Sequence, residues 1–379
     1  MSDPTSRPPR PSRPAREPES RFITKHRLMF VCGALSCLLF VYVIGFSDAF
    51  AVEYNRDGAA AKLEAVGKKV ADVVAPPKLD PAVYDKKLIA NANYASTTAT
   101  STVRLWPAKN AAGVYPKVGA ILPFHRIIAY YGNFYSTKMG VLGEYPPEVM
   151  IPKLQAEVAK WNAADPSTPA IPAIDYIAIT AQGSPGADGK YRFRMPDSQL
   201  DHAVELANQV NGIVILDVQV GLSTLQVELP LLEKYLKMPN VHLAIDPEFS
   251  MKGGEEPGTV IGTFSSSDVN YAAGYLAKLV QENNLPPKVL VIHRFTQRMV
   301  TGTENIKPLP EVQIVMDMDG WGSPAKKLNT YQQFIASQPV QFTGFKLFYK
   351  NDLKPPSTRL LTPAELLKLT PQPLFIQFQ

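Results

Sequence analysis

The sequence predicts an α/β protein: a (β/α)8 TIM barrel preceded by a single transmembrane helix and a partly disordered stalk. Three observations carry that expectation. Eight short, β-branched apolar runs lie between residues 127 and 378. Amphipathic helical stretches alternate with them, which makes the strands mostly parallel. The eight units occupy about 253 residues, the size of a closed barrel. An open doubly wound sheet is the competing architecture. Its signatures are missing, because no G-x-G-x-x-G follows the first strand and GSPGADGK at 183–190 lacks P-loop spacing.

In chain order, residues 1–27 form a proline-rich basic tail, too poor in apolar residues to bury a core. Residues 28–46 (LMFVCGALSCLLFVYVIGF) carry no charge. As a helix rising about 1.5 Å per residue they span about 28 Å, enough to cross a bilayer. Residues 47–118 read as stalk or linker, with helical composition over 59–74 and a Ser/Thr/Ala tract over 95–102. The barrel domain takes 119–379. Its strands are expected at 127–131, 173–180, 212–220, 241–246, 288–292, 312–317, 340–347 and 374–378. Helices are expected around 147–163, 197–210, 223–236, 267–283, 295–301, 324–335 and 363–369. The last opens on Thr362-Pro363 with Glu365 close behind, which marks a helix start. Lys190 to Arg194 (KYRFR) alternates like a short hairpin arm.

The formal net charge is +5, and its distribution matters more than its value. Of 39 basic and 34 acidic residues, seven and three lie in 1–27, leaving 32 and 31 for the rest. A nearly neutral body disfavours a nucleic-acid partner. The basic flank precedes the apolar run, whereas Asp48 and Glu53 follow it. That asymmetry keeps the N-terminus cytoplasmic and the barrel extracytoplasmic, with the bilayer as a partner through residues 28–46. The segment reads as a signal anchor. Cleavage after Ala51, at Ala49-Phe50-Ala51, is the secreted alternative, but the run exceeds the usual h-region of about 7–15 residues. Cys32 and Cys37 both fall inside it, so the exported part has no thiol for disulfides, metal or nucleophilic chemistry.

Barrel chemistry forms at the C-terminal ends of strands. Three strands end alike: Asp217-Val218-Gln219, Asp246-Pro247-Glu248 and Asp317-Met318-Asp319. Residues two apart share a strand face, so each pair can enter one mouth. On the fourth strand Val241, Leu243 and Ile245 suit the helix side, leaving His242, Ala244, Asp246 and Glu248 inward. His293, Arg294, Lys346, Gln377, Tyr130 and Trp321 sit at other strand ends. Several inward carboxylates beside a few cations suit acid/base chemistry, because burial raises one carboxyl while a cation keeps another ionised. Glycoside hydrolysis needs such a divided pair. Glu248 is the expected general acid and Asp317 or Asp319 the nucleophile or base, with Asp246 in support. Asp217, Gln219, His293, Arg294, Trp321, Lys346, Tyr130 and Gln377 are the expected substrate-binding residues. Each also has a structural reading: Asp217 and Asp246 as ion-pair partners, Asp319 as a turn residue before Gly320, Tyr130 and Trp321 as packing.

On the runs AIDPEF and MDMDGWG, residues 115–379 resemble membrane-anchored or secreted TIM-barrel proteins related to glycoside hydrolases, and an uncharacterised bacterial family of such barrels. The resemblance implies a hydrolase acting on a polysaccharide or peptidoglycan, without assigning a catalytic residue. It also implies a carboxylate at the end of the seventh strand, where FTGFKLFY offers Lys346 instead, so the sixth strand would supply the second acid. No cofactor is expected. Five histidines without H-x-H or H-E-x-x-H spacing make zinc a poor fit, and no metal ligands are assigned. The alternatives are a non-catalytic carbohydrate- or envelope-binding barrel and a metal-dependent phosphodiesterase using the oxygen-rich Asp/Glu set.

Overall fold

The computed structural model describes residues 79–92 and 113–379. The basic tail, the expected anchor at 28–46 and the helical stretch at 59–74 lie outside the described residues. Among the described residues, no helix is long and apolar enough to cross a membrane.

The strands are β1 (Arg126–Gly132), β2 (Ala170–Ala181), β3 (Arg192–Arg194), β4 (Ile213–Val218), β5 (Val241–Ile245), β6 (Phe264–Ser265), β7 (Lys288–Arg294), β8 (Val300–Thr301), β9 (Val312–Met318), β10 (Phe342–Leu347) and β11 (Phe375–Phe378). All except β3, β6 and β8 form one parallel sheet in the order β1-β11-β10-β9-β7-β5-β4-β2, and β1 pairs with β2 to close it. Every expected barrel strand is therefore present. The KYRFR arm is β3, antiparallel to β2. Arg192 and Arg194 tie it down by sharing the buried Glu228 carboxylate at 2.9 and 2.7 Å.

The strand period of two separates the side chains into two apolar layers. Ile127, Ala129, Ala173, Ile215, Ala244, Val289, Val291, Val315 and Phe375 fill the barrel interior. Ile128, Ile174, Leu216, Leu243, Ile245, Leu290, Ile292, Ile314 and Ile376 pack outward into the helix layer. Burying each such aliphatic side chain contributes about 1.5–3 kcal/mol. The interior is apolar only toward the N-terminal strand ends. There helix α1 (Pro81–Ala92) adds Tyr84 and Leu88 to the inner cluster, and Leu122 joins them. Asn91 donates to the Pro123 carbonyl at 3.2 Å. This part of the expected stalk thus belongs to the barrel, because its apolar face covers the open lower end.

The outer helices include α2 (Val141–Glu144), α3 (Pro147–Ala164), α4 (Asp197–Gln209), α5 (Leu225–Glu228), α6 (Glu233–Leu236), α7 (Ser266–Glu282), α8 (Pro324–Thr330) and α9 (Pro363–Leu366). The helix expected at 223–236 is broken: a 3-10 segment, Leu229–Leu232, separates α5 from α6, because Pro230 lacks an amide donor and its ring crowds the preceding turn. The stretch expected as a helix at 295–301 is a 3-10 turn, Gln297–Met299, followed by β8, which pairs with β6. Seven residues ending in Val-Thr are too short to sustain an isolated helix. Beyond α8 the chain continues as a π-helical turn, Tyr331–Ala336. That turn seats the Tyr331 hydroxyl against Pro371 O and the Thr343 hydroxyl, at 2.5 and 2.8 Å.

Candidate active site

Above the apolar layer the inward positions change character. Tyr131, Asp175, Asp217, Asp246, His293, Asp317, Asp319, Lys346 and Gln377 are all buried there. A cleft of about 570 Å³ opens over them at the C-terminal strand ends. Its walls include Tyr131, Gln219, Asp246, Glu248, Asp319, Trp321 and Lys346, with Phe249, Phe295 and Phe348 adding apolar surface.

Each element positions its polar group for a local reason. On β5, Asp246 ends the strand and accepts from the Glu248 amide at 2.9 Å, capping the 3-10 turn Pro247–Phe249. That cap turns the chain so that Glu248 meets the cleft. On β9, the Asp319 amide donates to the Arg294 carbonyl at 3.1 Å, extending the pairing with β7. On β10, Gly344 keeps an interior position empty. A Cβ there would fall 2.5 Å from Asp317 Oδ1 and 2.9 Å from the Phe375 ring.

The polar groups form a network. The Tyr131 hydroxyl donates to Asp217 Oδ2 at 2.8 Å. Gln219 Nε2 reaches both the Tyr131 hydroxyl and Asp246 Oδ2, at 3.3 and 3.4 Å. Gln377 Nε2 donates to Asp175 Oδ2 at 2.6 Å. Lys346 Nζ lies 3.0 Å from Asp319 Oδ1 and 3.9 Å from the Tyr131 ring centre. His293 Nδ1 sits 3.4 Å from Asp317 Oδ2 and 3.3 Å from Asp319 Oδ2, and its Nε2 lies 3.8 Å from Asp217 Oδ1. Neither imidazole nitrogen is aligned as a hydrogen-bond donor. His293 lies within ion-pair distance of all three acids.

Burial and proximity divide the titrating groups. Burial, reinforced by Asp217, raises the Asp175 carboxyl to about 8. Asp246 is pushed well above the ordinary carboxyl range by burial, against the pull of His293. Glu248 is raised to about 7 by burial and then by the Asp319 charge. Burial also raises Asp317, although His293 opposes it. Asp319 goes the other way: burial would raise it, but Lys346 and His293 outweigh that and bring it to about 2. Burial would lower His293, yet Asp317, Asp319 and Asp217 hold it well above its usual value. Asp319, between His293 and Lys346, is thus held ionised, while burial favours the neutral forms of Asp175, Asp246 and Glu248.

Most of the sequence-expected residues converge, with clear differences in role. Glu248, Asp319, Asp246, Gln219, Trp321 and Lys346 line the cleft. Asp217, His293, Asp317 and Gln377 form the buried layer behind those walls. Asp317 is fully buried and faces His293 rather than the cleft. Two residues expected at the mouth point elsewhere. Tyr130 packs in the outer layer against Phe378 and hydrogen-bonds Tyr349 at 3.2 Å. The Arg294 guanidinium turns to the Thr296 and Gln297 carbonyls at 3.2 and 3.1 Å. The period of two explains both: Tyr131 and His293 take the inward positions, so their neighbours must face out. Asp175 was not singled out from the sequence, although Ala173-Ile174-Asp175 repeats the Ala244-Ile245-Asp246 pattern.

Among the described residues, no group of three or more His, Cys, Asp or Glu side chains is placed to hold a metal ion. The acids are instead shared out among Gln377, Tyr131, Gln219, His293 and Lys346.

No family model matches the chain, and no curated protein matches it. Among solved structures it is similar to the Burkholderia cenocepacia dihydropteroate synthase complexed with 7,8-dihydropteroate. The identity is 10%, covering 68% of this chain and 86% of that one, with a TM-score of 0.30. A likeness at that level carries no argument about chemistry.

Proposed function

We propose that the barrel is a hydrolase that cleaves a glycan by carboxylate acid/base catalysis, and that residues 28–46 anchor it in a membrane with the barrel on the extracytoplasmic side. One observation carries the catalytic reading. Glu248 and Asp319 border the same cleft, and their surroundings push them apart, to about 7 and about 2. A divided pair of carboxyls is what protonation of a leaving oxygen and stabilisation or attack at the opposite side require. Glu248 acts as the general acid, its proton kept near neutral pH by burial. Asp319, ionised between Lys346 and His293, is the nucleophile or base. Asp246 holds Glu248 in place through its amide. Trp321 and the phenylalanine walls offer flat apolar surface to sugar rings.

The test uses the full chain against a panel of glycans and peptidoglycan. Glu248→Gln should lower turnover by about 10²–10⁴-fold, the range for losing a general acid, while binding persists. Native turnover should fall as pH rises through about 7, as Glu248 loses its proton. Binding without turnover across the panel would overturn the hydrolase and favour a carbohydrate-binding barrel. Protease treatment of intact cells tests the topology, since a barrel digested only after lysis would refute export.

A further inference from the structure

The rim of the cleft differs electrically from its floor. Trp321 is 48% exposed at that rim. Lys326 Nζ and Lys354 Nζ lie 4.9 and 5.3 Å from its ring centre, and Lys138 and Lys326 line the opening. Neighbouring lysines each hold an acid: Lys327 to Asp352, Lys346 to Asp319 and Lys350 to Glu144. Among the described residues, Lys138, Lys326 and Lys354 hold none. A cation–π contact positions an ammonium without neutralising it, since the ring offers a quadrupole and no counter-charge. The backbone makes room for this arrangement. Gly322 has φ 141°, and a Cβ there would fall 2.8 Å from Lys326 Cδ. Beneath the rim burial shifts Asp246 and Glu248 toward their neutral forms, and Asp319 is matched by Lys346. Positive charge at the mouth is thus left without an internal partner.

We infer that the ligand of this cleft is an anionic saccharide, whose carboxylate or phosphate group is held at the rim by the unpaired lysines that line it, Lys138 and Lys326, while its uncharged rings enter the cleft. The inference rests on reading the cleft as a glycan site and adds the substrate class. Lys354, 5.3 Å from the Trp321 ring centre, adds to the positive field. The rim lysines are binding groups and take no part in bond cleavage, so their removal should act on affinity and leave the chemical step alone.

The test is calorimetric binding to the full chain with two matched pairs: trigalacturonate against its methyl ester, and N-acetylglucosamine 6-phosphate against N-acetylglucosamine. The expected result is a preference for a charged member over its neutral match. The preference should fall roughly tenfold in the double variant Lys138→Glu/Lys326→Glu, the scale of two exposed ion pairs turned repulsive. It should also fade between about 0.1 M and 1 M salt, where the screening length drops from about 10 to about 3 Å. Lys326→Arg should retain it. The pair that responds identifies the anionic group as carboxylate or phosphate. Equal affinity within both pairs, no binding to any of the four, or a preference indifferent to charge reversal would overturn the inference. Turnover measured in parallel separates the two claims. Glu248-dependent cleavage of neutral glycans alone would refute the anionic class and leave the hydrolase standing. Tight binding of an acidic saccharide with no cleavage anywhere would do the reverse.

Discussion

Replacing Lys346 by Met keeps the stem of the side chain and removes the ammonium that, among the described residues, pairs with Asp319. Both groups are buried, at 2% and 8% exposure, and their charged atoms lie 3.0 Å apart. Removing one partner of a buried pair costs about 3–5 kcal/mol, because the other charge is left without compensation. The pKa of Asp319 gives an independent scale. Its folded value of about 2 lies below the ordinary 3.8, which corresponds to about 2 kcal/mol of stability at neutral pH. The sign follows from the depressed value: this stability is present above about pH 4 and is lost as pH falls through about 2. In the variant Asp319 instead gains a reason to take up a proton. Its penalty therefore shrinks as the solution becomes more acidic, by up to about 1.4 kcal/mol per pH unit. Urea unfolding of native and Lys346→Met chains at several pH values reads the gap directly. It should be about 3–5 kcal/mol near pH 7 and narrow toward about 2 kcal/mol near pH 4. A neutral-pH gap below about 1 kcal/mol, the range of exposed pairs, would refute the buried-pair argument. So would a gap that widens on acidification.

Other outcomes follow from the same interior. Gly344→Ala places a methyl group 2.5 Å from Asp317 Oδ1 and should cost about 1–3 kcal/mol through overpacking, read as a lower Tm; an unchanged Tm would show that β10 yields freely. Asp175→Asn should be nearly neutral below about pH 4 and increasingly stabilising from there toward pH 8. The wild-type carboxyl, raised to about 8, loses stability to deprotonation of the unfolded chain over that window. Denaturation curves in which Asp175→Asn loses stability relative to the native chain as pH rises would contradict the raised value.

The barrel was legible before any coordinates because a parallel strand buried on both faces leaves an unmistakable apolar run, and all eight runs became strands. The same property hid the phase of several strands. On β1 the pairs Ile127-Ile128 and Tyr130-Tyr131 give no polar residue to mark the inner face, so the sequence does not show that Tyr131 faces the cleft and Tyr130 the outer layer. On β5 the polar His242 and Asp246 broke the symmetry, and the expected division between helix side and interior holds. The periodic stretch 223–236 hides its break, because Pro230 sits within an otherwise continuous helical pattern. The carboxylate pairs at strand ends collect at the C-terminal end of the barrel, but one-dimensional spacing does not tell a residue that lines the cleft, such as Asp319, from one behind its wall, such as Asp317.

Local pattern alone therefore determined the number, order and parallel sense of the strands and the end of the barrel at which its acids collect. Tertiary structure decided which of those acids reach the cleft and which keep their protons. The physical reason is distance along the chain. Gln377 meets Asp175 across 202 positions, Tyr131 meets Asp217 across 86, and Lys346 meets Asp319 only because β9 and β10 lie side by side. Protonation follows from such neighbours and from burial, and neither exists until the sheet has closed.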